Sequence, residues 1–323
     1  MRRLWKRRWI RFATYFVASV LAFGIVDYWT YPFLSLSPTQ KLSKGTDGIW
    51  IRYTWYFGEV DKERMRKHSS WLQDNGFKYG FFHVRSAGKS GGLIHDYMDR
   101  AAEMNAVVEE AAPRLMRIAW IYVGNEAGLG SVDLSTDETK RALVETAGRL
   151  LSEGKFEGIQ WDYEICPDGD EDFLELLRLS REGLPKDTFI GVCTPTNYGW
   201  PLAGFGWSEG YFRRVAELSD QIAMMVYDTG MVLPRMYASH VGRQVDVIDR
   251  ATAGTECGVL FGLPSYGPGF RSHNPRAENL QIGIRALRSA LEGNVPKNFE
   301  GISIFADYTT DKEEWREYRE SWK

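Results

Sequence analysis

From Gly48 onward, short apolar runs rich in β-branched and aromatic residues alternate with amphipathic segments of helical period. Residues 48–56, 79–85, 115–123, 156–164, 189–196, 221–227, 258–263 and 301–307 read as strands. Between them, 62–74, 93–112, 172–181, 210–218, 245–253 and 280–292 read as helices, as does a segment that opens at Ser135-Thr136-Asp137-Glu138 in the manner of a capping box and runs to about residue 153. Eight strand–helix alternations predict parallel strands joined by right-handed crossovers, and eight such strands close a barrel. A doubly wound open sheet is the competing layout. It usually carries a Gly-rich phosphate turn after its first strand, and Tyr56-Phe57-Gly58-Glu59 is not one. The expected fold is therefore α/β, a (β/α)8 TIM barrel over residues 48–323.

Upstream the pattern changes. Arg2, Arg3, Lys6, Arg7, Arg8 and Arg11 precede an apolar run over 12–26, the charge order of an export or insertion signal whose basic end stays in the cytoplasm. That run falls short of the ~20 apolar residues of a span, but Tyr28, Trp29, Tyr31, Phe33, Leu34 and Leu36 extend it with side chains suited to a membrane interface. Val20-Leu21-Ala22 is a poor cleavage site, and no Cys lies nearby for lipoprotein processing. Residues 1–34 thus read as a cytoplasmic basic tail and uncleaved single-pass anchor, with a cleaved signal and a secreted or periplasmic product as the alternative. Either way the barrel lies on the non-cytoplasmic side. Residues 35–47 turn to Ser, Pro, Thr, Lys and Gly, a linker composition.

Bulk composition removes some functions. A hydrophobic content of 44% with 26% charged residues is that of a globular chain, and a net charge of −3 offers no general attraction to nucleic acid. Cys166, Cys193 and Cys257 have no metal-ligand spacing and cannot form a disulfide framework. Gly88-Lys89-Ser90 lacks the Gly that a phosphate loop needs five positions earlier, where His83 stands. His83 and His95 are isolated, and the acidic run 168–172 lacks calcium-loop spacing. No metal and no cofactor is expected.

The chemistry concentrates in Phe156-Glu157-Gly158-Ile159-Gln160-Trp161-Asp162-Tyr163-Glu164. In an extended strand Gln160, Asp162 and Glu164 share one face and Trp161 and Tyr163 take the other. Polar groups in a row on a buried strand are costly unless they serve one another or a ligand. At the C-terminal end of a barrel strand they sit where catalytic groups are found, and paired carboxylates are the equipment of sugar cleavage.

This stretch resembles the fourth-strand signature Asp-x-x-Asp-x-Asp-x-Glu of glycoside hydrolase family 18, the chitinases and endo-β-N-acetylglucosaminidases. Met225-Val226-Tyr227-Asp228 is similar to the family's sixth-strand Met-x-Tyr-Asp, and residues 261–270 to its seventh-strand Gly-Leu-Pro-x-Tyr-Gly run. Phe173 and Leu176-Leu177 fit the helix after the signature. The chain departs from the pattern at Glu157 and Gln160, which replace two signature Asp residues. It departs again at Val123-Gly124-Asn125, where the third-strand Gly-Gly motif is missing, and at Phe305, where the family has Trp. Too few residues separate Gly267 from Gly301 for the family's optional α+β insertion.

The resemblance implies a substrate-assisted retaining mechanism, in which the acetamido oxygen of the sugar attacks its own anomeric carbon. Glu164 would be the acid, Asp162 the partner of the acetamido group and Tyr227 a donor to the same group. Gln160 would hydrogen-bond Asp162 from below without exchanging a proton, leaving Asp162 more permanently anionic. Asp228 and Tyr266 would help bind substrate, and Tyr53, Trp55, Tyr198, Trp200 and Phe305 are candidate sugar platforms. The implied partner is a glycan containing β-linked N-acetylhexosamine. Two other readings stay open: a non-catalytic, lectin-like sugar-binding barrel, and a barrel glycosidase of another family acting on non-acetylated polysaccharide.

Overall fold

In the computed structural model, which describes residues 2–31, 42–124, 132–199, 206–268 and 272–323, eight parallel strands form a closed barrel in chain order. They are β1 (Asp47–Ile51), β2 (Phe77–Ser86), β3 (Met116–Gly124), β4 (Gly158–Glu164), β5 (Phe189–Thr194), β6 (Gln221–Met225), β7 (Gly258–Pro264) and β8 (Phe299–Phe305). α1 (Arg2–Thr30) precedes the barrel. The intervening helices are α2 (Lys62–Asp74), α3 (Met98–Ala111), α4 (Asp137–Ser152), α5 (Glu171–Gly183), α6 (Glu209–Ala216), α7 (Pro234–Thr252) and α8 (Leu280–Ala290), and α9 (Lys312–Glu317) follows β8.

The alternation within each strand produces two cores. Trp50, Phe81, Trp120, Cys193 and Leu260 fill the barrel interior, whereas Ile49, Ile51, Ile121 and Trp161 point outward under the helices. On β4 the odd positions behave as the pattern requires. Trp161 donates its indole N–H to Ser180 of α5 at 3.1 Å, and Tyr163 stacks on Phe173 of the same helix. The even positions, Gln160, Asp162 and Glu164, are left to the interior and mouth.

The base of the barrel is closed by the C-terminus. Asp47 is buried and accepts hydrogen bonds from the Ile302 amide (2.9 Å), the Tyr318 hydroxyl (2.9 Å) and the Trp322 indole (3.0 Å). A buried carboxylate keeps its charge only with such donors, so the wide final turn over Tyr318–Trp322 is tied to the first strand.

Several boundaries differ from the pattern-based ones. β1 ends at Ile51, because the chain turns where the Phe57 amide bonds the Tyr53 carbonyl at 2.9 Å. α3 starts at Met98 rather than near residue 93, and α4 is capped by Thr136, one residue beyond the Ser expected. α7 begins eleven residues earlier than its apolar stripe suggested, since buried His240 and Gln244 interrupt that stripe. α1 carries a 23-residue stretch, Arg8–Thr30, whose most apolar 18-residue window has mean hydropathy 1.7, long and apolar enough to cross a membrane, as a signal sequence near the N-terminus would also be.

Candidate active site

β4 delivers its carboxylates to the barrel mouth. Asp162 is 3% exposed. The indole N–H of Trp120, on β3, donates to its Oδ2 at 2.7 Å, while Oδ1 has no hydrogen-bond partner among the described residues. Trp120 and the nearby Cys193 thiol of β5 act to lower the Asp162 pKa, yet burial outweighs both and raises it above the usual carboxylate range. Glu164, one step up the same face, is half-buried at the rim. The Asp162 charge, then burial, then Asp228 raise its pKa strongly, so its protonated form persists toward neutral pH.

Above the carboxylates lies a cleft of about 370 Å³ lined by Glu164, Cys166, Tyr198, Met225, Tyr227 and Asp228, among others. Tyr227 follows β6, and burial drives its hydroxyl pKa well above the ordinary value, so it stays a donor. Its ring stacks on Phe305 at 5.1 Å, and Trp50, Trp120 and Tyr266 pack edge-on against Phe305 at 5.7, 6.0 and 5.7 Å. Together these rings make an apolar floor beside the acids.

Asp228 adopts a left-handed backbone conformation (φ 55°), which Asp tolerates better than most residues. Its Oδ1 accepts the Tyr266 hydroxyl at 2.8 Å. Behind it stand His273 and Glu278, with His273 Nδ1 lying 3.8 Å from Asp228 Oδ1 and 3.4 Å from Glu278 Oε2. The three could hold a cation among them. Glu278 is already served by the hydroxyl and amide of Thr229 and by the Met231 amide. His273 Nε2 lies 3.0 Å from the Tyr266 carbonyl and donates to it, which turns Nδ1 toward the two carboxylates.

The structure thus brings Asp162, Glu164, Tyr227, Asp228, Tyr266, Tyr198 and Phe305 together. Gln160 lies below them, but the hydrogen bond expected to Asp162 is not made. Gln160 Oε1 accepts from Trp50 at 2.9 Å and its Nε2 has no partner among the described residues. The donor to Asp162 is Trp120 instead, which stands level with Gln160 on β3 and reaches the carboxylate diagonally. Trp55 does not reach the cleft. The turn after β1 buries it against Phe82 and His68, beside a separate cavity lined by Arg52, Arg64 and Asp307. Tyr53 stands at the far rim with the Arg52 and Arg85 guanidinium groups over its ring. Trp200 lies outside the described residues. Glu157 is at the opposite end of the barrel, paired with Arg117 at 3.1 Å. His83 is a packed ring, stacked 3.9 Å from Trp120 and kept neutral by burial, which lowers its pKa to about 3.

Trp50, Trp120, Cys193, His273 and Glu278 were not foreseen as site residues. For the first three a signal existed: each occupies an inward position of its strand near the level of Gln160 or Asp162. His273 and Glu278 sit in the long connection after β7, where no periodicity applies.

Neither a protein-family model nor a curated protein matches the chain. Solved structures do. The spore cortex-lytic enzyme SleL of Bacillus cereus superposes over 90% of this chain and 77% of its own, with a TM-score of 0.64 and 14% identity. A family GH18 chitinase from Cycas revoluta, in complex with allosamidin, covers 86% of this chain and all of its own (TM-score 0.59, 14% identity). A chitinase from Chromobacterium violaceum covers 85% and 98% (TM-score 0.56, 14% identity). The barrel fold is shared with these glycoside hydrolases.

Proposed function

We propose that this chain is a glycoside hydrolase of the family 18 kind, held in a membrane by α1 with its barrel on the non-cytoplasmic side. It cleaves β-glycosidic bonds of an N-acetylhexosamine-containing glycan by the substrate-assisted retaining route. The observation that carries the reading is the Asp162–Glu164 pair, in which one Asp162 oxygen is held by Trp120 and the other has no partner among the described residues, with a high-pKa carboxyl directly above. In this assignment Glu164 protonates the leaving oxygen. The free Asp162 oxygen accepts the acetamido N–H, which turns the acetamido oxygen toward the anomeric carbon and offsets the positive charge as the ring closes. Tyr227 donates to the acetamido oxygen, and the Phe305 floor packs the sugar face. The lectin-like alternative is disfavoured because both carboxylates are present and their environments drive the Glu164 pKa toward working pH. The neighbours' own substrates, chitin for the chitinases and spore cortex for SleL, motivate N-acetylated test substrates.

The test is turnover of aryl chitobiosides against their de-N-acetylated counterparts. The substrate-assisted route predicts cleavage of the first and not the second, since only an acetamido oxygen can be the nucleophile. Equal cleavage of both would replace this reading with direct carboxylate catalysis. Allosamidin, bound in the Cycas chitinase structure, should also bind here and lose affinity in Asp162→Ala.

A further inference from the structure

The last turn of α1 is gripped by the barrel at one place on its rim. Asp27 is 5% exposed and accepts a hydrogen bond from Arg235 Nε at 2.8 Å. The Arg276 guanidinium lies 3.7 Å from the Trp29 ring centre and 4.6 Å from that of Tyr28. Arg235 also covers the Tyr31 ring at 4.8 Å, and Arg285 donates to the Tyr31 carbonyl. These arginines come from the start of α7, the connection before α8, and α8 itself. In a barrel the helices run back from the C-terminal ends of the strands, so the start of α7 and the connection before α8 belong to the catalytic rim. Asp228 and Arg235 bound the same β6–α7 connection, and Tyr266 and Arg276 lie in the same β7–α8 connection. The Asn274 side chain links the two by donating to the Val232 carbonyl at 3.1 Å.

Length then sets the depth of this contact. Arg8–Thr30 is 23 residues, ~34 Å at ~1.5 Å per residue, against a hydrocarbon core of ~30 Å. The end of the helix therefore emerges within a turn of the bilayer boundary, and Asp27 lies about one turn inside that end. An acid at that level needs a partner, and the partner it has is Arg235. The side chains that flank Arg235 are carried to the same level, and they are apolar: Val232 is 62% exposed and Met236 48%. Tyr28, Trp29 and Tyr31 are the residue types that lodge at such an interface.

We propose that the rim segment around Val232 and Met236 is a second membrane contact, entering the interfacial layer of the bilayer that α1 spans and holding the catalytic mouth against it. The enzyme then acts on glycan strands in the layer next to the membrane rather than on distant polymer. The occupant of this apolar rim is lipid, because α1, docked beside it, brings the bilayer to that depth. The proposal rests on the reading of α1 as a retained anchor.

The full chain in lipid nanodiscs tests it. Cys166, Cys193 and Cys257 are buried, so an environment-sensitive thiol label can be directed to single introduced cysteines. Ser19→Cys probes the middle of α1, Val232→Cys the rim, and Lys297→Cys the opposite end of the barrel, where Lys297 is exposed. With nitroxide-bearing lipids, the labels at 19 and 232 should be quenched several-fold more than that at 297. Quenching at 19 with position 232 indistinguishable from 297 would overturn the second contact while leaving the anchor intact. No quenching at 19 would overturn the anchor reading, and this proposal with it. In Arg235→Glu, quenching at 232 should fall toward the 297 level while that at 19 stays. Unchanged quenching at 232 would refute the role given to the Asp27–Arg235 pair.

Discussion

Replacing Asp162 by Asn removes one charge and almost no volume, and its effect on the pH profile can be worked out in advance. Asp162 and Glu164 lie two residues apart on one strand face, ~6.6 Å at their Cα atoms for a rise of ~3.3 Å per residue. At that distance, and with an effective dielectric constant of about 20, two unit charges repel by about 2.5 kcal/mol, equivalent to roughly 2 pH units. This repulsion is the largest of the causes that push the Glu164 pKa up to about 8. In the proposed role of general acid Glu164 would work only when protonated, so kcat/KM should be lost as pH rises through that value. In Asp162→Asn the basic limb should move down by about 2 pH units. It stops short of an ordinary carboxyl because burial and Asp228 still raise it. The maximal rate should fall too, since the proposed acetamido partner is gone, but the reasoning is tested by the position of the limb. The assay is kcat/KM on a fluorogenic chitobioside across the neutral and alkaline range. A basic limb that stays in place would mean that Glu164 is not the titrating acid or that Asp162 is not what lifts it.

Two further predictions concern the residues around Asp162. Trp120→Phe keeps an aromatic ring but removes the 2.7 Å hydrogen bond to Oδ2. Bonds to charged groups contribute ~1.5–3 kcal/mol, so kcat/KM of the folded variant should drop about 10- to 100-fold, the melting temperature should fall as the smaller ring underfills the barrel core, and full retained activity would refute the role given to Trp120. Gln160→Glu puts a carboxyl into a fully buried site below Asp162. Its pKa in the folded state is then raised above the unfolded ~4.3. Stability relative to wild type should therefore be preserved below about pH 4 and lost as pH rises through the raised folded value. Chemical denaturation at acid and alkaline pH checks this, and a pH-independent difference would contradict it.

Much of this architecture was legible from pattern alone. Every strand has two apolar faces, or one apolar face and one chemically loaded face, and both give runs that stand out from the amphipathic helices. The parity of β4 alone separates Asp162 and Glu164 from Trp161 and Tyr163. What escaped the pattern is whatever depends on contacts between elements. Trp120 and Cys193 converge on Asp162 from different strands; strand parity marks them as inward-facing, but which inward residue lies beside Asp162 depends on the register between strands. Gln160 is next but one to Asp162 in sequence, yet its amide turns to Trp50 across the barrel. A first strand running to Tyr56 carries Trp55 to the mouth, whereas the turn at Tyr53 sends it under α2. The first half of α7 was hidden because His240 and Gln244, buried with hydrogen bonds to Thr196 and Asn197, look like surface residues to a hydrophobicity pattern.

The central claim is that Glu164 gives its proton to the leaving oxygen, and the most direct measurement is how the Glu164→Gln loss depends on the leaving group. A sugar alkoxide needs that proton, whereas an acidic nitrophenolate departs without it. Removing a general acid typically costs ~10²–10⁴-fold. The account predicts a loss of that order for chitooligosaccharide cleavage and a much smaller one for a nitrophenyl chitobioside. Equal losses on both substrates, or no loss on either, would contradict it.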